Sequence, residues 1–273
     1  MTIDFRVHLW EILSLMQDRI SATMNTALDH RFIKSDKSIS DFVYGFSMVR
    51  NMWNINEAVL IPNGRIDLFF VKETDNQFHI ALIGLETKPK PMPKNNHAMM
   101  YGISFNPLAV EYLFKEPISD ILDSGKFLPN DFWGFSVDDL NEFEAFCEKA
   151  SQKIQSLLPK EIDERKYKLF ELVDETNGEI AVKELSKKVC WSARQINQYF
   201  NQQFGLSLKA YCNILRFQAS LSHIKEGKLF PQLNYYDQSH FIKEIRRLSG
   251  ASPKELYKNP NGRFLQFLAI DTE

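Results

Sequence analysis

Cysteine is scarce in this sequence, and what there is does not pair. Cys147, Cys190 and Cys212 are odd in number and far apart, which excludes a disulfide frame and a CxxC zinc site and suits a reducing cytoplasm. The six histidines are scattered as well. His8, His30, His79, His97, His223 and His240 never occur as HxH or HxxxH, so no clustered ligand set for a metal enzyme is visible. P-loop, GxSxG and GxGxxG motifs are all missing. Long apolar runs are absent too: Ile80–Leu85 is among the longest and is far too short to span a bilayer. The first residues, MTIDFRVHLWEILSLMQ, carry charges throughout and lack a small-residue cleavage site, so no secretory signal is expected. These absences point to a cytoplasmic protein with no membrane partner, no metal and no cofactor.

What is present is an ordinary core and an unusual charge distribution. Of 273 residues, 44% are hydrophobic and 25% charged, with a formal net charge of −2. From Ile180 to Arg263 there are 14 basic and 5 acidic residues, which leaves 19 basic and 30 acidic elsewhere. A basic module joined to an acidic one implies that the basic part meets a polyanion.

The apolar pattern changes twice along the chain. Between Val7 and Leu28, residues Leu9, Ile12, Leu13, Met16, Ile20 and Met24 recur at helical spacing. Such a face packs on its own domain or forms a dimer interface. From Asp41 to about Pro107, short β-branched and aromatic runs separated by Pro, Gly and Asn predict five or more strands in a small sandwich or barrel. Asn63-Gly64 predicts a hairpin turn, and Lys88–Asn96, with three prolines, predicts an exposed loop. Trp53, Phe69, Phe70, Met99, Met100, Tyr101 and Phe105 line either a pocket or, more simply, the core. Helical spacing returns at Asp138–Leu158 and ends at Pro159. The boundary between domains is expected at 158–163, giving a β-rich regulatory domain over 1–158 and an all-α domain over 163–273.

Within the all-α part, Val182, Leu185 and Val189 mark a short helix. Ser192 follows as an N-cap, and then Ile196, Phe200 and Phe204 repeat at four residues before Gly205. This is a helix-turn-helix pattern. The outward residues of the second helix are Arg194, Gln195, Asn197, Gln198 and Asn201, with no acid among them. Arginine and amide side chains match the base edges of the major groove. A long amphipathic helix should follow from about Leu206 to Lys225. After it, NYYDQSHFIKEIRRLSGASPKEL (Asn234–Leu256) reads as a second such helix. Asp237 is its cap, Phe241, Ile245 and Leu248 turn inward, Gln238, Ser239 and Lys243 face out, and Gly250 is its stop. Arg246 and Arg247 stand where phosphates would be met. Ser252 caps a last helix, with Pro253 at its first position.

The stretches LSKKVCWSARQINQYFNQQFGLSLKAY, LRFQASLSHI and YYDQSHFIKEIRRLSGASPKEL together resemble the AraC/XylS family of bacterial transcription regulators. The resemblance implies two helix-turn-helix units joined by a long helix and reading successive major grooves. It places base reading on Arg194, Asn197 and Gln198 and on Gln238, Ser239 and Lys243. The strand-rich part matches the family's sensory domains, often cupin-like barrels, in order only. Two departures stand out. Cys190 occupies the turn position where the family favours glycine, and a positive φ there costs about 1 kcal/mol relative to glycine; lying in a basic segment it is either a reactive thiol or, as is more usual for cysteine, a small buried residue. Only KLFPQL (Lys228–Leu233) separates SLSHIKEG from NYYDQ, about three residues fewer than is usual in the family, so the first helix of the second unit should be short or irregular, packed by Leu229, Phe230 and Leu233.

The expected fold is α+β with two domains, a cupin-like β-rich sandwich or barrel followed by a double helix-turn-helix domain. The expected function is sequence-specific DNA binding in transcription regulation, without enzymatic activity. The resemblance implies base reading by Arg194, Asn197, Gln198, Gln238, Ser239 and Lys243, and phosphate contact is expected at Ser192, Arg246 and Arg247. Candidate partners are double-stranded DNA, a small-molecule effector of the N-terminal part, RNA polymerase and a second copy of the chain. The rival readings are a protein-interaction module and a cupin-type enzyme.

Overall fold

The computed structural model describes residues 29–50, 59–91, 97–259 and 264. The amphipathic segment Val7–Leu28 and Trp53 lie outside the described residues. The described strands are β1 (Asp29–Lys34), β2 (Val43–Arg50), β3 (Val59–Leu60), β4 (Ile66–Glu73), β5 (Phe78–Ile83), β6 (Lys90–Pro91), β7 (His97–Phe105) and β8 (Gly125–Leu128). Six of them form one antiparallel sheet in the order β1-β2-β7-β4-β5-β8, and β3 pairs with β6 in a separate ribbon.

Alternation along these strands sorts the aromatics between the two faces. Phe70 and Tyr101 are fully buried on one face, directly opposite each other in the β4–β7 ladder. Helix α1 (Phe143–Leu157) lies across that face. Its Phe146 meets the rings of Phe70 and Tyr101 edge-on, both at 5.1 Å, and Phe143 meets Tyr101 at 5.2 Å. Phe69 and Met100 point the other way and are half-buried. Of the residues expected to line either a pocket or the core, Phe70, Tyr101 and Phe105 are plain core.

The strand-rich part departs from expectation in three places. The sheet does not close into a barrel, since β1 and β8 are its edges among the described residues. Gly64 does adopt a positive φ of 74°, and the Asn63 side chain accepts from the Arg65 amide at 2.8 Å. That turn nevertheless joins β3 to β4, which lie in different sheets, so it is a corner and not a hairpin. Within the proline-rich stretch, Lys90–Pro91 pairs with Val59–Leu60 rather than looping freely, while residues 92–96 fall outside the described residues.

The chain then becomes helical: α2 (Glu164–Glu175), α3 (Val182–Lys188), α4 (Ala193–Phe204), α5 (Leu208–Lys225), α6 (Gln238–Ser249) and α7 (Pro253–Lys258). The molecule is therefore α+β, an antiparallel sheet followed by a helical region. The predicted caps are in place: Ser192 accepts from the Gln195 amide, Asp237 from His240 and Ser252 from Glu255. Ser207, not among them, also caps its helix by accepting from the Ala210 amide. Gly205 and Gly250 end α4 and α6 with φ of 78° and 75°.

The two parts share a contact built on small residues. At Gly64, a β-carbon would stand 3.1 Å from Leu215 Cδ2 of α5, and Gln218 of the same helix donates to the Pro62 carbonyl. At Gly205 it would stand 2.9 Å from the Ser119 carbonyl oxygen, beside a hydrogen bond from the Ile118 amide to the Gln203 carbonyl (2.8 Å). At Gly250 it would meet Pro89 Cγ at 3.5 Å. The C-terminal ends of α4 and α6 thus both rest on loops of the strand-rich part.

Candidate nucleic-acid interface

Helices α3 and α4 form the expected helix-turn-helix. Between them Cys190 takes a φ of 54°, the left-handed conformation that glycine adopts at no steric cost. Cys190 is exposed rather than buried, because in that turn its side chain points away from the packed side. Cys147 and Cys212 are buried, and burial pushes their thiols up to about 12 and about 11. Behind α4, the rings of Phe170, Phe200, Phe204 and Tyr211 lie within 6.0 Å of one another in a chain of contacts. This aromatic packing locks α4 to α2 and α5 and fixes which face is left outward.

On that face Arg194 and Gln198 are exposed, whereas Asn197 is half-buried. The Asn197 amide donates to the Ala193 carbonyl at 3.0 Å, and its oxygen accepts from the Leu208 amide at 3.3 Å. Asn201 donates back to the Asn197 carbonyl at 2.7 Å. Both asparagines are therefore spent on their own helix or the turn after it, a local competition that short polar side chains readily enter. Gln195 completes a capping box with Ser192. Ser192 itself is exposed, and its hydroxyl is shared with Gln195.

Beside α4 runs a groove lined by Asp163, Arg165, Lys166, Trp191, Gln198 and Tyr199, among others. Its two cations are already compensated. Arg165 bonds Asp163 at 2.7 Å, holding that carboxyl below its usual range, and Lys166 pairs with Glu111 of the strand-rich part. Glu111 also accepts from the Tyr199 hydroxyl at 3.3 Å. Burial, and then Glu111, raises the Tyr199 phenol above its ordinary value.

The second unit consists of α6 without a partner helix: Glu226–Asp237 contains no helical segment. The shortened linker is irregular, as its length implied. Leu229 and Leu233 are half-buried, but Phe230 is 57% exposed and does not pack as expected. On α6, Gln238, Ser239 and Lys243 are all exposed, and Gln238 donates to the Leu229 carbonyl at 3.1 Å. Arg246 is exposed as predicted. Arg247 is also exposed but makes a two-pronged ion pair with Glu244 (3.2 and 2.8 Å), which draws the Glu244 carboxyl below its usual range. The i,i+3 spacing of Glu244 and Arg247 is the sign of this pair in the sequence, where Arg247 alone stands out.

Residues 31–125 match a family model described as a domain of unknown function (DUF6597). No curated protein matches the chain. Among solved structures the chain is similar to ToxT from Vibrio cholerae in its P21 crystal form, at 10% identity and a TM-score of 0.43, over 85% of this chain and 98% of that one. It is also similar to wild-type ToxT bound to an unsaturated fatty acid, from Vibrio cholerae strain SCE256, at 12% identity and a TM-score of 0.40, over 89% of this chain and 99% of that one. Among the described residues no helix is long and apolar enough to cross a membrane, and no group of three metal-ligating side chains converges.

Proposed function

We propose that this chain is a sequence-specific DNA-binding transcription regulator of the AraC/XylS type, with α4 and α6 each entering a major groove. The observation that carries the reading is the outward face of α4, held rigidly from behind by aromatic packing and presenting Arg194 and Gln198 on a helix that itself carries no acidic residue. Arginine reads guanine and glutamine reads adenine through paired hydrogen bonds. Asn197 joins them only by giving up its bonds to Ala193 and Leu208. On α6, Gln238, Ser239 and Lys243 supply the second reading face, and Arg246 supplies a phosphate contact. Two such helices on one side of the duplex need to sit about 34 Å apart to enter successive grooves. The basic balance of residues 180–263 supports the same partner. An effector of the strand-rich part, RNA polymerase and a second copy of the chain belong to this reading as its regulatory partners.

The test is capture and sequencing of genomic DNA bound by the full chain, followed by titration at several salt concentrations. A recurrent motif spanning two adjacent major grooves, with affinity falling steeply as salt rises, is the expected outcome. Recovery of fragments without a shared motif would refute sequence-specific reading.

A further inference from the structure

In a helix-turn-helix the first helix crosses the DNA backbone while the second enters the groove. The second unit here has lost that first helix, so whatever steadies α6 against the backbone has to come from the irregular segment before it. Two adjacent tyrosines in that segment have opposite environments. Tyr235 is half-buried: its hydroxyl lies 3.0 Å from Ser220 Oγ of α5, Arg216 stands over its ring at 5.8 Å, and Phe241 of α6 meets it edge-on at 5.1 Å. Tyr236 is 92% exposed. It immediately precedes the Asp237 cap and stands two positions before Gln238, and its backbone amide is oriented toward His240 Nδ1 at 3.5 Å. The segment is pinned on both sides of Tyr236, by the Asn234 amide on Glu179 and by the Asp237 carboxylate on the His240 amide. A large aromatic side chain is therefore carried outward on an anchored backbone, at the end of α6 that would approach DNA.

We infer that the Tyr236 hydroxyl donates to a DNA phosphate flanking the groove entered by α6, replacing with one neutral contact the backbone grip of the missing helix. This rests on the DNA-binding reading above. Tyrosine is a recognised phosphate donor. Because it brings no charge, it releases no counterions, and its loss leaves the salt slope unchanged.

The experiment compares wild type, Tyr236→Phe and Tyr236→Ala in the full chain, on the captured motif and on a scrambled duplex, across a salt series. Both variants should bind both duplexes at least about ten-fold more weakly, the scale of one hydrogen bond to an ionised acceptor, with unchanged slope and unchanged preference between duplexes. Wild-type affinity in Tyr236→Phe overturns the hydroxyl contact. A change in preference between duplexes overturns it as well, since that is base reading. If the wild-type chain binds neither duplex, the DNA-binding reading fails and this inference falls with it, a result distinct from failure of the variants alone.

Discussion

At the scale of single residues, the proposed reading face divides into side chains that are free and side chains that are committed. Arg194→Ala and Lys243→Ala should each remove about 1–3 kcal/mol of discrimination between the preferred site and its single-base variants. Arg246→Ala should weaken all sequences alike and flatten the salt slope by about one unit. Arg247→Ala should flatten it less, because Glu244 already offsets that charge. Binding profiles measured on a panel of site variants separate these outcomes, and identical profiles for all four would contradict the assignment of faces. Asp67 offers a test of stability. Its carboxyl is raised above the ordinary value, first by desolvation, against hydrogen bonds from Ser104 and Asn63. A carboxyl whose folded pKa is raised binds a proton more readily folded than unfolded. Stability is therefore lost as pH rises from the unfolded value toward the folded one. Asp67→Asn should raise the melting temperature at neutral pH and lose that advantage at pH values below the unfolded carboxyl range. An equal effect at both ends would show that the burial cost is absent.

At the scale of elements, caps and stops were legible in the sequence because each is a local bargain between one side chain and one turn. Ser192, Asp237 and Ser252 cap and Gly205 and Gly250 stop as their residue types dictate. What could not be read was whatever depends on a distant partner. The strand order, with β7 between β2 and β4, and the pairing of β3 with β6 are set by long-range ladders that leave no local trace. The bond that Asn197 accepts from the Leu208 amide belongs here too, since it depends on where the start of α5 returns. The two stops differ in a way that is measurable. Both glycines have positive φ, so alanine at either costs about 1 kcal/mol through backbone conformation. Only at Gly205 would the added carbon also press on a backbone oxygen, 2.9 Å away, whereas at Gly250 the neighbour at 3.5 Å is in ordinary contact. Gly205→Ala should therefore destabilise clearly more than Gly250→Ala in denaturant titrations. Equal losses would mean that the Ser119 loop gives way freely.

At the scale of the whole molecule, the helical region has buried side chains of its own in Leu169, Phe170, Leu185, Ile196, Phe200 and Phe204. It also has a face, around Tyr211 and Leu215, that rests on the Gly64 corner. A fragment from Asp163 to Glu273 should fold, melt at a lower temperature than the full chain, and bind DNA with the same preference but lower affinity. Affinity measurements on fragment and full chain check this, and a fragment that fails to bind at low salt when the full chain binds would refute independent function of the helices.

The contact at Gly205 also has a mechanical consequence. Helix α4 has 12 residues, so it is about 18 Å long, and a tilt of roughly 5° pivoting at its C-terminal end carries its far end about 1.5 Å sideways. Arg194 stands at that far end, and the hydrogen bonds that would tell one base from another tolerate only a few tenths of an ångström. Helix α6, resting on Pro89 at Gly250, has the same lever length and the same sensitivity at Gln238 and Ser239. The strand-rich part thus holds each helix by its handle, and under the proposed function a displacement too small to alter the fold at Ser119 or Pro89 would be magnified into a misreading at the tip.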